Sequence, residues 1–189
     1  YTYRYGVIKP RMRFNDPIPV GISIGRLSEQ KGFDILLKSI KKVNESIEYR
    51  HIICGTGKEK DNLIYLAHKL KIEDKIYFAG YVKNINLWLK FPKIFVCTSR
   101  YEGCPNVLLE ALSSELPVLS TDCKYGPREL LQNGKWGELV KVDNIKEISS
   151  GIIKTLNKKE LNKKELKLYL NKNYSQRYIF KKYASIIFS

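Results

Sequence analysis

Two carboxylates flank a proline in the middle of the chain, and their spacing indicates what they can bind. Glu102 and Glu110 stand on either side of Pro105, which suits the first turn of a helix but not its interior. We therefore expect Glu102 in a loop and Glu110 on the following helix, capped by Asn106 or Ser99. Carboxylates placed in this way can accept hydrogen bonds from two separate polyols, while free N–H groups at the helix start face a phosphate.

A second group of candidate residues follows the first apolar segment of the chain. Gly25 permits a sharp turn, and Arg26 and Lys31 place two cations between a predicted strand and a predicted helix. A helix N-terminus with two cations beside it suits a diphosphate. The alternative is an ordinary capped loop with two exposed cations.

The apolar pattern predicts the elements that position these residues. Helical spacing recurs from Phe33 to Ile47 and from Leu63 to Leu70. Short β-branched segments alternate with these stretches, which favours a doubly wound, Rossmann-like α/β fold with a parallel sheet flanked by helices. Both candidate loops then lie beyond the carboxyl ends of strands, where such sheets bind ligands. The predicted strands are Val20–Ile24, His51–Cys54, Ile76–Ala79, Ile94–Thr98 and Val118–Thr121.

Changes in pattern divide the chain into three parts. Residues 1–18 are rich in aromatic and basic residues without periodicity and are predicted to be an interdomain linker or the remnant of a missing N-terminal domain. Residues 19–158 form the α/β domain. Residues 159–189 are predicted to be C-terminal helices, with helical spacing from Leu161 to Leu170 and from Tyr174 to Phe188. Because the first residue is Tyr1, we expect a piece of a longer protein.

Composition narrows the partners and the compartment. The 189 residues carry a net charge of +15, and ten Lys/Arg against two Glu fall between residues 154 and 182. Such a stretch suits anionic membrane, a polyphosphate or nucleic acid, or is a solvated helix surface. No apolar run reaches the ~18 residues that span a bilayer. Four cysteines without metal-ligand spacing predict a reducing, cytoplasmic setting and no metal site.

Two glycines match the start of a glycine-rich dinucleotide-binding motif, but the residues that follow do not complete it. Gly55 and Gly57 follow the second predicted strand, but Lys60 stands where a third glycine is needed. The first strand–helix turn lacks the pattern as well. A tight turn is therefore favoured at this position.

Three motifs together resemble a known family. GRLSEQKGFD, SRYEGCPNVLLEAL and LPVLSTDCKYGPRELLQNGKWGELV are similar, in order and spacing, to the donor-binding C-terminal half of family-four retaining glycosyltransferases. The resemblance covers about residues 19–158. It implies one half of a GT-B fold, a nucleotide-sugar donor as substrate with UDP favoured, and no cofactor.

The resemblance also implies roles for individual residues. Glu102 would hold the donor sugar and Glu110 the ribose, while Arg26 and Lys31 beside Gly25 would hold the diphosphate. Arg26, Lys31 and Glu102 are thus the predicted catalytic groups, acting by electrostatics and anchoring rather than by nucleophilic attack. Further donor contacts are predicted at Tyr81 and Val82 for the nucleobase, and at Gly103, Cys104, Pro105, Asn106, Val107 and Leu108 for sugar and phosphate.

The implied activity is transfer of a hexose-type sugar to a glycan or lipid-linked acceptor in surface polysaccharide synthesis. The implied partners are an N-terminal acceptor-binding domain and the inner face of an anionic membrane, with no nucleic acid. Isolated from that domain, the chain is expected to transfer little sugar. Alternatives are an epimerase-like or non-catalytic nucleotide-binding domain, and a basic nucleic-acid-binding module. Two interpretations are open for the GPRE segment, residues 126–129. In one, Arg128 lies over the donor pyrophosphate; in the other, it pairs with Glu129 in a structural turn.

Overall fold

A computed structural model describes residues 17–158, 162–175 and 178. The chain divides into two compact units, residues 1–158 and residues 159–189. The predicted linker at residues 1–18 falls almost entirely outside the described residues. The described part of the first unit, residues 17–158, contains six strands, β1 (Val20–Ile24), β2 (Arg50–Cys54), β3 (Ile76–Gly80), β4 (Ile94–Cys97), β5 (Val118–Thr121) and β6 (Glu138–Val140).

Five helices connect these strands and a sixth follows the last strand; two of the six are a single turn long. Their bounds are α1 (Phe33–Val43), α2 (Lys60–Lys69), α3 (Ile85–Trp88), α4 (Asn106–Ser113), α5 (Pro127–Leu130) and α6 (Ile145–Leu156). A short 3-10 turn, Glu29–Lys31, precedes α1. The sequence did not predict α3, and α1 ends at Val43 although the apolar spacing continues to Ile47.

The strands form one parallel sheet in the order β3-β2-β1-β4-β5-β6. This order reverses between β1 and β4, as it does in doubly wound folds, so the predicted α/β class is confirmed. The sequence did not predict β6, because three residues are too few to show a period. Gly137, immediately before it, lets the chain approach β5 closely, since a Cβ there would lie 2.9 Å from the Val118 carbonyl oxygen.

The main core lies between one face of the sheet and three helices. Leu36, Leu37 and Ile40 of α1 are fully buried and pack in one cluster with residues of α2 and α6. The strands contribute alternate residues to this cluster, Ile53 and Val96 among them, as the period of two in a strand requires. This helix layer fixes where α1 begins, and hence where the loop from β1 delivers Lys31.

The glycine pair after β2 serves the sheet edge rather than a nicotinamide. A Cβ on Gly55 would lie 1.8 Å from the Gly25 carbonyl oxygen, and one on Gly57 would lie 2.2 Å from the Leu27 carbonyl oxygen. The two glycines therefore let the loop after β2 press against the loop after β1. That close approach is the physical reason for the pattern, in agreement with the favoured tight turn.

A chain of buried polar groups crosses the middle of the sheet. Tyr49 Oη lies 2.8 Å from His51 Nδ1, and His51 Nε2 lies 2.9 Å from Ser23 Oγ. Ser23 Oγ in turn donates to the Val96 carbonyl oxygen at 2.5 Å. Since the single hydroxyl proton of Ser23 is committed to Val96, His51 must donate from Nε2 and accept at Nδ1. Burial lowers the pKa of His51 to about 3, so the ring is neutral.

The second unit is described over residues 162–175 and 178. It contains α7 (Lys163–Tyr174). Asn162 is the N-cap of this helix, and its side chain accepts a hydrogen bond from the Glu165 N–H. This helix covers most of the spacing predicted from Leu161 to Leu170, whereas the predicted helix from Tyr174 to Phe188 lies almost wholly outside the described residues. In the described part of the chain, no helix has the length and apolar character needed to cross a membrane.

Candidate functional site

The two predicted site loops meet where the strand order reverses. The loop after β1 carries Gly25, Arg26 and Lys31, and the loop after β4 carries Glu102. Because β1 and β4 are parallel neighbours, their carboxyl ends lie at the same edge of the sheet. Two segments about 70 residues apart in sequence thus form one crevice at the switch point, which is where doubly wound sheets bind ligands.

An ion pair joins the two loops in this crevice. Lys31 Nζ lies 2.5 Å from Glu102 Oε1, and the two side chains are 18% and 7% exposed. The sequence placed both residues in the site but did not predict this contact. The positive charge of Lys31 is therefore balanced by Glu102 within the protein.

A buried hydroxyl holds the same carboxylate oxygen. Ser99 Oγ donates to Glu102 Oε1 at 2.6 Å, and the Ser99 carbonyl oxygen accepts from Thr121 Oγ1 at the end of β5. Lys31 and Ser99 therefore both contact the same oxygen of the Glu102 carboxylate, Oε1. Among the described residues, none donates to Glu102 Oε2, so this oxygen is left to accept from a ligand.

The start of α4 presents unused donors beside this carboxylate. Pro105 is the cap residue and no side chain caps the helix, so the prediction that Asn106 or Ser99 caps it is wrong. Ser99 is instead committed to Glu102. Within the described residues, no acceptor receives the backbone N–H groups of Gly103, Cys104 and Val107. Unpaired N–H groups at a helix start bind anions well.

Glu110 lies on the second turn of α4, as the sequence predicted. Its Oε2 atom is buried and has no hydrogen-bond partner in the part of the chain that the structure describes. Burial raises the pKa of this carboxyl above its ordinary value. A buried carboxylate oxygen without a partner costs free energy, so a hydroxyl that donated to it would relieve that cost.

A cleft of about 260 Å³ lies next to the β1 loop. It is predominantly apolar, and its lining residues come from the ends of β1 and β2 and from the segment after β3. Tyr81, which is 78% exposed, and Val82 belong to it together with Arg26. The predicted base-contacting residues therefore line a real concavity. The complete lining is Ile24, Gly25, Arg26, Cys54, Gly55, Thr56, Tyr81, Val82 and Ile85.

Two arginine pairs complete the surroundings, and the sequence predicted neither. Arg100 donates to both carboxylate oxygens of Asp34, each at 3.0 Å. Arg128 donates from Nε to Asp122 Oδ1 at 3.0 Å, so a pairing with Asp122 replaces the alternative in which Arg128 pairs with Glu129. Arg100 and Asp34 are 66 residues apart, and nothing in the sequence alone connects them.

The comparison with known families decides the relationship. The family model described as "Glycosyl transferases group 1" matches residues 7–175. The chain belongs to this family. The resemblance drawn from the three sequence motifs is thereby confirmed, and the six-stranded domain is a glycosyltransferase domain of the GT-B type.

Curated relatives of this glycosyltransferase domain are longer than the chain. An uncharacterized glycosyltransferase of Methanocaldococcus jannaschii is 48% identical over 113 residues, which are 59% of this chain and 28% of the relative. A second relative is 32% identical over 142 residues, 75% of this chain and 38% of its own length. It is the Campylobacter jejuni N-acetylgalactosamine-N,N'-diacetylbacillosaminyl-diphospho-undecaprenol 4-alpha-N-acetylgalactosaminyltransferase. The chain therefore spans well under half the length of these relatives.

Solved structures share the fold of the glycosyltransferase domain. A mutant of Staphylococcus aureus TarM, in complex with fondaparinux, alpha-GlcNAc-glycerol and UDP, superposes with a TM-score of 0.83 at 26% identity, covering 91% of this chain and 36% of TarM. Anabaena HepE in complex with UDP and glucose superposes with a TM-score of 0.82 at 20% identity, covering 91% of this chain and 48% of HepE.

Proposed function

We propose that this domain binds the nucleotide-sugar donor, with UDP-sugar favoured, in a retaining glycosyltransferase. The observation that carries the proposal is the state of Glu102. One oxygen of its carboxylate is held by Lys31 and Ser99, and the other is open beside the free N–H groups of α4. A carboxylate with one fixed oxygen and one free oxygen is suited to a sugar hydroxyl that must be held in one orientation.

The remaining contacts follow from the geometry around Glu102. The diphosphate would lie between Lys31, Arg26 and the start of α4, where two cations and three unpaired N–H groups offer positive charge. The nucleobase would enter the cleft lined by Tyr81 and Val82. The ribose would donate to the unpartnered oxygen of Glu110.

The same groups would assist the chemical step. When the bond between the sugar and the diphosphate breaks, negative charge grows on the leaving diphosphate. Lys31, Arg26 and the helix start would stabilise that charge electrostatically. We propose that the chain supplies this stabilisation without a metal ion, so EDTA is expected to leave nucleotide binding unchanged.

Acceptor binding is proposed to need a second domain. The chain spans 28% and 38% of the two relatives described above. The resemblance implies an N-terminal domain that carries the acceptor, and the Campylobacter jejuni relative acts on a lipid-linked sugar. We therefore propose a glycan or lipid-linked acceptor, a role in polysaccharide synthesis, and little transfer by this chain alone.

The basic second unit is proposed to meet an anionic membrane from the cytoplasmic side. Described residues 163–174 of α7 hold four lysines and one glutamate, and Leu168 is 63% exposed among them. The lysines can attract anionic headgroups electrostatically, and the exposed leucine can enter the lipid surface beside them. Vesicles containing anionic lipid should bind the chain at low salt, whereas neutral vesicles should not.

A melting experiment tests the donor proposal. Unfolding temperatures are measured with UDP, GDP, ADP, UDP-hexoses and NADH, and with an unrelated RNA oligonucleotide. A nucleotide at 100 times its dissociation constant adds about 2.7 kcal/mol of stability, or several degrees. We expect UDP and its sugars to give this shift in the wild type and in Glu45→Ala, an exposed control, but not in Glu110→Ala.

The other outcomes identify the alternatives. A shift with NADH would indicate a dinucleotide site. A shift only with RNA that disappears as salt is raised would indicate non-specific basic binding. No shift with any nucleoside diphosphate would contradict the proposed function.

A further inference from the structure

We propose that Arg100 is a positioning residue, an inference that rests on the proposed function. It holds Lys31 and Glu102 at the separation that lets Lys31 contact the diphosphate of the donor while Glu102 contacts the sugar. Arg100 has no part in the site as the sequence defines it. Its role follows from the segments that its side chain joins.

Four of the five N–H groups of the Arg100 guanidinium donate to protein acceptors. Nη1 and Nη2 form a fork with the two oxygens of Asp34 at 3.0 Å, and Nε lies 2.9 Å from Asp143 Oδ1. Nη1 also donates to the Glu29 carbonyl oxygen at 2.6 Å. The forked pair of donors that would bind a phosphate is already used by Asp34, so we infer that Arg100 acts through its neighbours.

These contacts join the two loops that carry the site. Glu29 precedes Lys31 by two residues, and Arg100 precedes Glu102 by two residues. The main chain of Arg100 donates to the Gln30 carbonyl oxygen at 2.8 Å, and Gln30 Nε2 donates to the Tyr101 carbonyl oxygen at 2.9 Å. The side chain of Arg100 therefore closes a ladder of contacts between the β1 loop and the β4 loop.

The ion pair between Lys31 and Glu102 does not fix this geometry by itself. Lysine is a point charge on a flexible stem, so its contact with a carboxylate does not fix a direction. An arginine–carboxylate fork instead fixes both distance and direction. The fork anchors Arg100, and with it the β4 loop, to Asp34 in the first turn of α1, an element that the hydrophobic core holds in place. The bond from Nη1 to the Glu29 carbonyl oxygen then ties the β1 loop to the same guanidinium.

The electrostatics of the cluster agree with this arrangement. Burial works against ionisation of Asp34, but the hydrogen bond and charge of Arg100 outweigh it, so the pKa of Asp34 is lowered. Asp143, in the turn before α6, supplies a second carboxylate to the same guanidinium. Lysine at position 100 would keep the charge but could not serve Asp34, Asp143 and Glu29 in these fixed directions.

The test compares Arg100→Lys with Arg50→Lys. Arg50 begins β2 at the amino end of the sheet, away from the site, and pairs with Glu48 at 3.8 Å. The first measurement is amide hydrogen exchange of the free protein at Lys31, Gly32 and Arg100. We expect Arg100→Lys to speed exchange at these amides by about tenfold, the loss typical of one charged hydrogen bond. Arg50→Lys should leave them at the wild-type rate.

The second measurement separates positioning from a loss of overall stability. UDP affinity is determined by calorimetry well below the unfolding temperature, with and without Glu102→Gln. In the wild type, Glu102→Gln should change UDP affinity because it releases Lys31 from its ion pair. In Arg100→Lys, UDP should bind about tenfold more weakly and Glu102→Gln should have no further effect. General destabilisation would leave the effect of Glu102→Gln unchanged.

Each result has a definite meaning. Wild-type exchange at Lys31 and Gly32 in Arg100→Lys, or an unchanged UDP affinity, would overturn the positioning role. An unchanged effect of Glu102→Gln in that background would overturn it as well. If the wild type binds no nucleoside diphosphate, the proposed function fails, and the exchange rates alone then decide whether Arg100 holds the two loops together.

Discussion

Two groups of polar side chains in this domain differ in how many of their hydrogen-bonding atoms have a partner. The closed network runs through His51, and the open network comprises Lys31, Ser99, Glu102 and Glu110 at the switch point. In the chain from Tyr49 through His51 and Ser23 to Val96, every donor meets an acceptor. At the switch point, by contrast, Glu110 Oε2 has no partner among the described residues. A closed network stabilises the fold, whereas an open one is stabilised by whatever completes it.

The closed network should affect stability alone. His51→Leu takes the acceptor away from the buried Tyr49 hydroxyl and a donor away from Ser23 Oγ, which keeps its bond to Val96. We expect a loss of about 3 kcal/mol in the free energy of unfolding, since each buried group left unsatisfied costs about 1–3 kcal/mol. Chemical denaturation measures this loss.

A matched control uses the other histidine. His68 is largely exposed, and His68→Leu should change stability by about 0.5 kcal/mol or less. UDP affinity should stay at the wild-type value in both variants. A loss of UDP binding in His51→Leu below its unfolding temperature would break the distinction between the two networks.

The open network should show the opposite behaviour at Glu110. Its pKa is raised by burial, so the stability that it contributes is full below its ordinary pKa of 4.5 and is lost as the pH rises through the higher folded value. Glu110→Gln should therefore raise the unfolding temperature at pH 7 while weakening UDP binding by about tenfold. Melting and calorimetry on the same samples measure the two effects.

Lowering the pH sharpens this contrast. The gain in unfolding temperature from Glu110→Gln should shrink toward pH 4, because the wild-type carboxyl then becomes neutral as well. A stabilisation that does not depend on pH would show that the charge of Glu110 carries no cost in the fold.

The closed network has its own pH dependence, with the opposite sign. Burial lowers the pKa of His51 to about 3 from 6.5. Between pH 6.5 and pH 3, His51 therefore binds a proton in the unfolded chain but not in the folded protein. The free energy of unfolding is at its full value above pH 6.5 and falls as the pH drops toward 3. The maximum slope from this group is about 1.4 kcal/mol per pH unit. Denaturation between pH 7 and pH 5 measures it.

His51→Leu provides the reference for this slope because it keeps His68 and removes only the buried ring. The variant should lose stability more gradually over the same pH range. Equal slopes in both proteins would mean that His51 accepts a proton in the folded state, contrary to the closed hydrogen-bond chain.

The smallest expected effect concerns the ion pair between Lys31 and Glu102. Glu102→Gln frees Lys31 Nζ from the contact at 2.5 Å, so the ammonium becomes fully available to a diphosphate. We expect UDP to bind a few-fold more tightly, within the 1 kcal/mol or so that such pairs contribute. The preference for a UDP-hexose over UDP should disappear, because the sugar loses its carboxylate anchor.

Calorimetric titration with UDP and with UDP-glucose separates these two effects. Lys31→Met is the complementary variant and should weaken both ligands. If Glu102→Gln weakened UDP as much as Lys31→Met does, the two residues would hold the diphosphate together rather than compete.

Much of this molecule follows from its sequence because local chemistry dictates it. The β-branched segments and the helical spacing between them predicted the parallel sheet, and the proline between Glu102 and Glu110 predicted a loop followed by a helix. Periodicity and proline geometry act over a few residues, so a single sequence displays them directly. The three motifs also identified the family, which the family model confirms.

Other features were decided only by the tertiary structure. The bond from Ser99 to Glu102, the fork between Arg100 and Asp34, and the chain through His51 depend on strand order and on side-chain direction. Two of these join segments that are 66 and 28 residues apart, and no local pattern records which distant partner a side chain meets. The sequence alone predicted that the loops after β1 and β4 lie at the same edge of the sheet and that Glu110 lies on the helix after the second of them. Packing of α1 against the sheet, and the parallel pairing of β1 with β4, decided which of their atoms are used within the protein and which are left for a ligand.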